Sequence, residues 1–220
     1  MAAHARTSAV VGLALVASVT AACSGGGGSH SASSTPPPAA ASHASAGGGS
    51  APNSPAPTES NPPGDIPDNQ VYVAYRPGSG TFTFTGFRVK VPEGWARTEQ
   101  KNTTVFTDKL NTVRITAASV SSAPTVGSVT HTVVPQLKAQ VPKFAQPKVT
   151  EVTRHAGRIV LLTYQGDSGK DPVTGKVVRD ASERYAFYRS GHEVDLTLSG
   201  PVSADNVDPW RIISDSFTWK

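Results

Sequence analysis

The chain has 220 residues, one cysteine, and 20 lysines and arginines against 16 aspartates and glutamates, for a formal net charge of +4. A single thiol excludes an intrachain disulfide and a thiolate-rich metal cluster. The basic residues are scattered, which argues against nucleic acid as a partner and leaves a mild preference for anionic ones.

Residues 1–22 read as a secretory signal. Arg6 supplies a short basic start and Val10 to Val19 an apolar run, followed by small residues. The run is shorter than the ~20 apolar residues that span a bilayer as a helix. Thr20-Ala21-Ala22-Cys23 resembles a bacterial lipobox, with Thr20 where leucine is usual. That resemblance implies diacylglycerol on the Cys23 thiol and an anchor on the extracytoplasmic face of the cell membrane. The alternative is an ordinary secreted protein cut after an Ala-x-Ala-like site. Two or three acyl chains would hold such a protein firmly, since one gives only marginal binding.

Residues 23–64 read as the lipidated cysteine and a disordered tether. Ser24 to Gly64 contain no Val, Ile, Leu, Met, Phe, Trp or Tyr, and Glu59 is their only charge. Such a stretch cannot offset its ordering entropy by burial. As a flexible chain it would span roughly 35 Å end to end.

Residues 65–220 hold all the charges except Arg6 and Glu59 and suffice for one domain with its own core. "QVYVAYR" (70–76) reads as a strand. "GTFTFTGFRVKVPEGW" continues with Phe82, Phe84, Phe87, Val89 and Val91 in strand-like spacing. "NTTVFTDKLNTVRITAASV" reads as a hairpin turning at "DKLN". "SVTHTVVPQLKAQV" (128–141) reads as a helix capped by Ser128, with Val129, Val133, Leu137 and Val141 on one face. Pro135 within it predicts a kink or a later start. Two more hairpins follow, turning at Ala156-Gly157 and Ser190-Gly191, and a closing helix after Ser203 sets Trp210 and Ile213 toward the sheet.

The order of strands, helix, four strands and helix predicts an α+β fold. The "FTFTGFRVKVPEGW" entry with Phe87, Pro92 and Trp95, the mid-chain helix, the hairpins and the closing "VDPWRIISDSF" resemble the PsbP-like fold. More closely they resemble the PsbP-like lipoproteins of actinobacteria, the mycobacterial Lpq type among them, over about residues 80–219. The resemblance implies an antiparallel sheet covered by helices on both sides (an α/β/α sandwich) and binding or assembly rather than chemistry.

Gly-Asp-Ser-Gly at 166–169 also surrounds the nucleophile of chymotrypsin-like proteases. That chemistry needs a histidine base and an orienting carboxylate in reach of Ser168, in a larger fold. "GKDPVTGK" has one residue too many for a phosphate loop, and Val177 replaces its magnesium-binding hydroxyl. Asp167 and Asp171 are spaced like calcium-loop ligands, but Pro172 and Val178 stand where glycine and glutamate belong. His131, His155 and His192 share no metal-site spacing. Trp95 and Trp210 are expected in the core, and one of Tyr185, Phe187 and Tyr188 on an exposed sheet face.

No catalytic residue, metal or cofactor is therefore expected. The loop 166–180 reads as a solvated excursion that can present Lys170, Lys176 and Arg179 to a partner. The leading reading is a membrane-anchored, non-enzymatic envelope lipoprotein binding a protein or an envelope lipid. An accessory lipoprotein of an envelope transporter and a serine hydrolase acting through Ser168 are the alternatives.

Overall fold

A computed structural model describes residues 64–170 and 175–220. The signal, Cys23 and the tether up to residue 63 lie outside the described residues, as do Asp171, Pro172, Val173 and Thr174.

Among the described residues ten strands form two antiparallel sheets. The larger has seven strands: β3 (Ala96–Gln100), β4 (Thr103–Asp108), β5 (Asn111–Ser119), β9 (His192–Pro201), β8 (Arg179–Arg189), β7 (Gly157–Asp167) and β6 (Ala145–Arg154), in that spatial order. The smaller has β1 (Tyr72–Tyr75), β2 (Phe87–Pro92) and β10 (Thr218–Trp219). All consecutive neighbours in the large sheet are hairpins except β5–β9, which join across most of the domain with Val113 opposite Leu198 and Ile115 opposite Leu196.

The turns follow from local chemistry. Ser190 and Gly191 close the β8–β9 hairpin with φ of 49° and 82°, the left-handed pair that matches strand twist. Lys109 and Leu110 close β4–β5, with Lys109 at φ 51°. The β6–β7 turn is His155-Ala156, one residue earlier than expected, because Gly157 already pairs with Arg154.

Side chains alternate across the large sheet. One face sends Val113, Ile115, Tyr185, Phe187, Val194, Leu196 and Leu198 into a core shared with β2 and with α3 (Val207–Asp215). Phe187 stacks on Phe217 at 3.9 Å between ring centroids, and Phe217 on Phe87 at 5.7 Å. Trp210 and Ile213 of α3 are buried as expected.

The other face is covered over β6 and β7 only. There Val160, Leu162 and Tyr164 meet Val129, Val133, Leu137 and Val141. The covering helix is α1 (Val126–Ser128), a π-helical turn (Val129–Val133) and α2 (Val134–Gln140). Thr125 caps it, with Ser128 as the reciprocal member of the capping box. Pro135 sits in the first turn of α2, immediately after the π turn, because proline cannot donate to the preceding turn. Helices thus lie on both faces, but unequally.

Several local expectations are corrected. Phe82 and Phe84 are not in a strand: the Thr83 N–H donates to Asn102 Oδ1 at 2.8 Å instead of to a ladder, and β2 begins at Phe87. The closing helix starts at Asn206, not Ser203, because the Asn206 side chain is drawn into the core, donating to Gly64 O and Asn111 Oδ1 at 3.0 Å each. Trp95 is partly rather than fully buried, at the margin of the core before the wholly exposed β3.

Candidate functional site

The end of the large sheet that carries the β4–β5 turn also carries the start of β8 and the end of β7. Leaving β7, the chain is fastened to the helix exit. Asp167 N–H donates to Pro142 O at 2.8 Å, Lys143 Nζ lies 2.9 Å from Asp167 Oδ2, and Arg179 Nη1 donates to Lys143 O at 2.7 Å. Arg179 also lies 3.4 Å from Asp167 Oδ1. The Lys143 and Arg179 cations hold the Asp167 carboxyl below the usual range, Lys143 foremost. Gly166 is required here, since a Cβ would stand 2.1 Å from Val141 Cγ1.

Ser168 closes the loop rather than facing a substrate. Its Oγ accepts the Val178 N–H at 3.0 Å and donates to Gly169 O at 2.8 Å, while Ser168 N–H donates to Val178 O at 2.8 Å. No histidine among the described residues lines the space around it.

Two adjoining clefts open beside this clasp. The inner one, about 300 Å³, lies on the uncovered sheet face and is lined by Tyr164, Asp180, Ser182, Thr197 and Arg114 among others. The outer one, about 220 Å³, runs between the β4–β5 turn and the β7–β8 loop and is lined by Lys109, Leu110, Lys170, Lys176 and Val178. Thr112, Ser168, Gly169 and Asp180 line both.

Asp180 is the most perturbed group in the clefts. Its Oδ1 is shut away from solvent without a hydrogen-bond partner. Burial first, and then the neighbouring Asp167 carboxylate, push its pKa up to about 6. Further along the same face Arg184 bridges two acids, lying 2.5 Å from Asp195 Oδ2 and 3.4 Å from Glu193 Oε1. Asp195 Oδ1 is again without a partner, and burial raises its pKa despite Arg184. These are buried acidic oxygens on an open polar face, a pattern that marks candidate sites.

The expected partner-loop residues fall into two settings. Lys170 and Lys176 line the outer cleft, whereas the Arg179 guanidinium serves the clasp. Tyr185 is corrected: it is 1% exposed, and its hydroxyl, pushed up to about 12 by burial and by Glu183, donates to Glu183 and accepts from Arg154. Phe187 is buried as well, which leaves Tyr188, whose hydroxyl accepts the Gly191 N–H at 3.2 Å. His131 is exposed on the π turn, His155 sits in the β6–β7 turn, and His192 stacks on Phe84 at 3.9 Å. Among the described residues no group of three or more His, Cys, Asp or Glu is disposed to hold a metal.

Lys109 and Arg114 were missed. Lys109 was legible only as a turn residue, and Arg114 only as the polar member of an alternating strand. A wider cleft of about 440 Å³ between β2 and α3 is lined by Arg88, Lys90, Ile212 and Asp215. Its Arg88 is bonded to Thr218 and its Asp215 is paired with Arg154 and Arg211, which leaves Lys90 as its one charged side chain without a partner among the described residues.

No family model and no curated protein matches the chain. Among solved structures it is similar to the cyanobacterial PsbP of Synechocystis at 14% identity and TM-score 0.47, over 71% of this chain and 98% of that one. It is similar to the Ran-binding protein Mog1p of Saccharomyces cerevisiae at 8% identity and TM-score 0.46, over 69% and 96%. It is also similar to LpqN, involved in cell envelope biogenesis of Mycobacterium tuberculosis, at 15% identity and TM-score 0.39, over 69% and 85%. Scores this low leave function to be read from the clefts themselves.

Proposed function

We propose that this protein is a non-enzymatic binding or assembly module of a cell envelope. It is held at the extracytoplasmic face of the membrane by lipid on Cys23 and receives a protein or an envelope lipid at the paired clefts. The observation that carries the binding reading is their composition. Lysines from a loop and a hairpin turn meet a half-buried carboxylate with an unsatisfied oxygen, beside the part of the sheet face that the mid-chain helix leaves open. Loops held by a rigid sheet are where recognition concentrates. Ser168 spends its hydroxyl on the loop backbone, donating to Gly169 O and accepting from Val178 N–H, which supports reading it as a loop clasp rather than a nucleophile.

The test is crosslinked capture from membranes of the producing bacterium. Lys170→Ala with Lys176→Ala is expected to abolish most capture at unchanged thermal stability, while Ser168→Ala leaves capture intact. Labelling of Ser168 by a fluorophosphonate, lost in the alanine variant, would overturn the non-enzyme reading. The anchor is checked separately: labelled fatty acid should enter the wild-type chain and be absent from Cys23→Ser.

A further inference from the structure

The outer cleft has a chemistry more specific than a basic loop. Lys109 comes from the β4–β5 turn, and Lys170 and Lys176 from either side of the β7–β8 loop, so the lysines reach one cleft from two elements far apart in sequence. Neither Lys109 nor Lys170 has an ion pair or a hydrogen bond among the described residues. Thr112 and Ser168 also line the cleft, and Asp180 is the one carboxylate among its described lining residues.

We propose that Lys109, Lys170 and Lys176 with Thr112 form a binding site for a phosphate group, and that its source is the phosphodiester of an anionic membrane lipid. This rests on the binding-module reading above and names its ligand.

Ammonium groups are point donors on flexible stems, and several converging on one cleft suit the several oxygens of a tetrahedral phosphate. A carboxylate, planar and with two oxygens, is matched by a guanidinium fork instead, and no arginine lines the outer cleft. Apolar side chains favour a lipid over a free phosphate. Leu110 and Val178 line the cleft beside the lysines, and Val177 between Lys176 and Val178 is 54% exposed. Lysines interleaved with exposed apolar residues fit the headgroup region, where ammonium groups meet phosphates and apolar side chains reach the acyl boundary. Asp180 is the one opposing charge: with its pKa at about 6 it is largely ionised at neutral pH, and a bound phosphate would favour its uptake of a proton, which it could then donate to the phosphate.

The experiment uses the full chain carrying Cys23→Ser, so that no acyl anchor contributes. It measures co-sedimentation with phosphatidylglycerol vesicles and with phosphatidylcholine vesicles, and titrates inorganic phosphate in solution. Binding to phosphatidylglycerol vesicles is expected to weaken about fivefold for each of Lys109→Ala, Lys170→Ala and Lys176→Ala. Lys138→Ala, which removes the same charge from α2, should leave it unchanged, whereas replacing chloride with free phosphate at equal ionic strength should weaken it, because lipid and free phosphate present phosphate oxygens to the same lysines.

If Lys109→Ala has no effect, or Lys138→Ala weakens binding equally, the converging site is overturned in favour of general attraction. If the three variants lose free phosphate but never distinguish the vesicles, the lipid source is overturned. Capture of a membrane protein that depends on Lys170 and Lys176 without Lys109 would sink this inference while sparing the binding-module reading.

Discussion

The two faces of the seven-stranded sheet are built from the same strands, yet over β5 and β9 they carry opposite chemistry. On β5, Val113 and Ile115 are 1% and 0% exposed, while Arg114 between them faces solvent. On β9, Leu196 and Leu198 are buried, while Asp195 and Thr197 line the open face. Burying the first set removes apolar surface from water at ~25 cal/mol per Å² and stabilises the fold. The second set leaves polar groups without partners inside the chain, at some cost in stability. Stability is concentrated on one face, and the recognition proposed above falls on the part of the other that no helix covers.

The sharpest test of that division is a pair of truncations on neighbouring strands. Phe187→Ala, on the closed face and stacked on Phe217, is expected to lower the unfolding free energy by about 3 to 5 kcal/mol in urea denaturation. Thr197→Ala, on the open face, should stay within about 0.5 kcal/mol. Equal losses would mean the open face is structural too.

At the border between covered and open sheet, Gly166→Ala forces a methyl into Val141 and should cost about 1 to 3 kcal/mol. Adding Val141→Ala should recover part of that loss, because the clash is the shared term of a double-mutant cycle. No recovery would mean that the methyl is resisted by more than the Val141 side chain, the Pro142 carbonyl oxygen at 3.5 Å being next in line.

Asp180 sharpens the comparison through pH. Its folded pKa of about 6 stands above the ordinary 3.8, so the native chain binds this proton more tightly than the unfolded chain does. That contribution is complete below about pH 4 and is lost as pH rises through about 6. Asp180→Asn is therefore expected to stabilise the protein by about 1 kcal/mol at pH 7.5, after allowance for solvent screening of a half-exposed group, and hardly at all at pH 4. A destabilised asparagine variant at pH 7.5 would show that the carboxylate is satisfied in solution.

The smallest expected effects separate the loop's cations. Arg179→Ala, which releases Lys143 O and Asp167, should lower the melting temperature measurably. Lys170→Ala should not, being an exposed position with no bond to lose among the described residues.

Much of the fold was legible residue by residue, where the signal is local. The Ser190-Gly191 hairpin was readable because glycine takes φ of 82° without penalty, and α3 because Trp210 and Ile213 repeat at helical spacing. Strand β3, "ARTEQ", was not readable: every residue is exposed, so no alternation betrays it, and only pairing with β4 makes it a strand. Phe82 and Phe84 misled in the other direction. Their alternation imitates a strand, but Asn102 takes the Thr83 N–H and both rings turn into aromatic packing around Phe87.

The candidate site divides the same way. Lys170 and Lys176 stood out because they occupy a long polar loop, and Ser168 ranked only as an alternative because His131, His155 and His192 lack the setting of that protease family and the domain is too short for its two barrels. The sequence by itself therefore determined the hairpins, the two helical faces, the α+β class and the polar loop, all of which depend on neighbours a few residues apart. Only the tertiary structure decided that β5 joins β9, that the helix stops at β7 and leaves the rest of the face open, and that Lys109 meets Lys170 across one cleft. It alone decided that one oxygen of Asp180 is shut from water. These depend on which surfaces remain after the core is buried, a property of the whole packed chain.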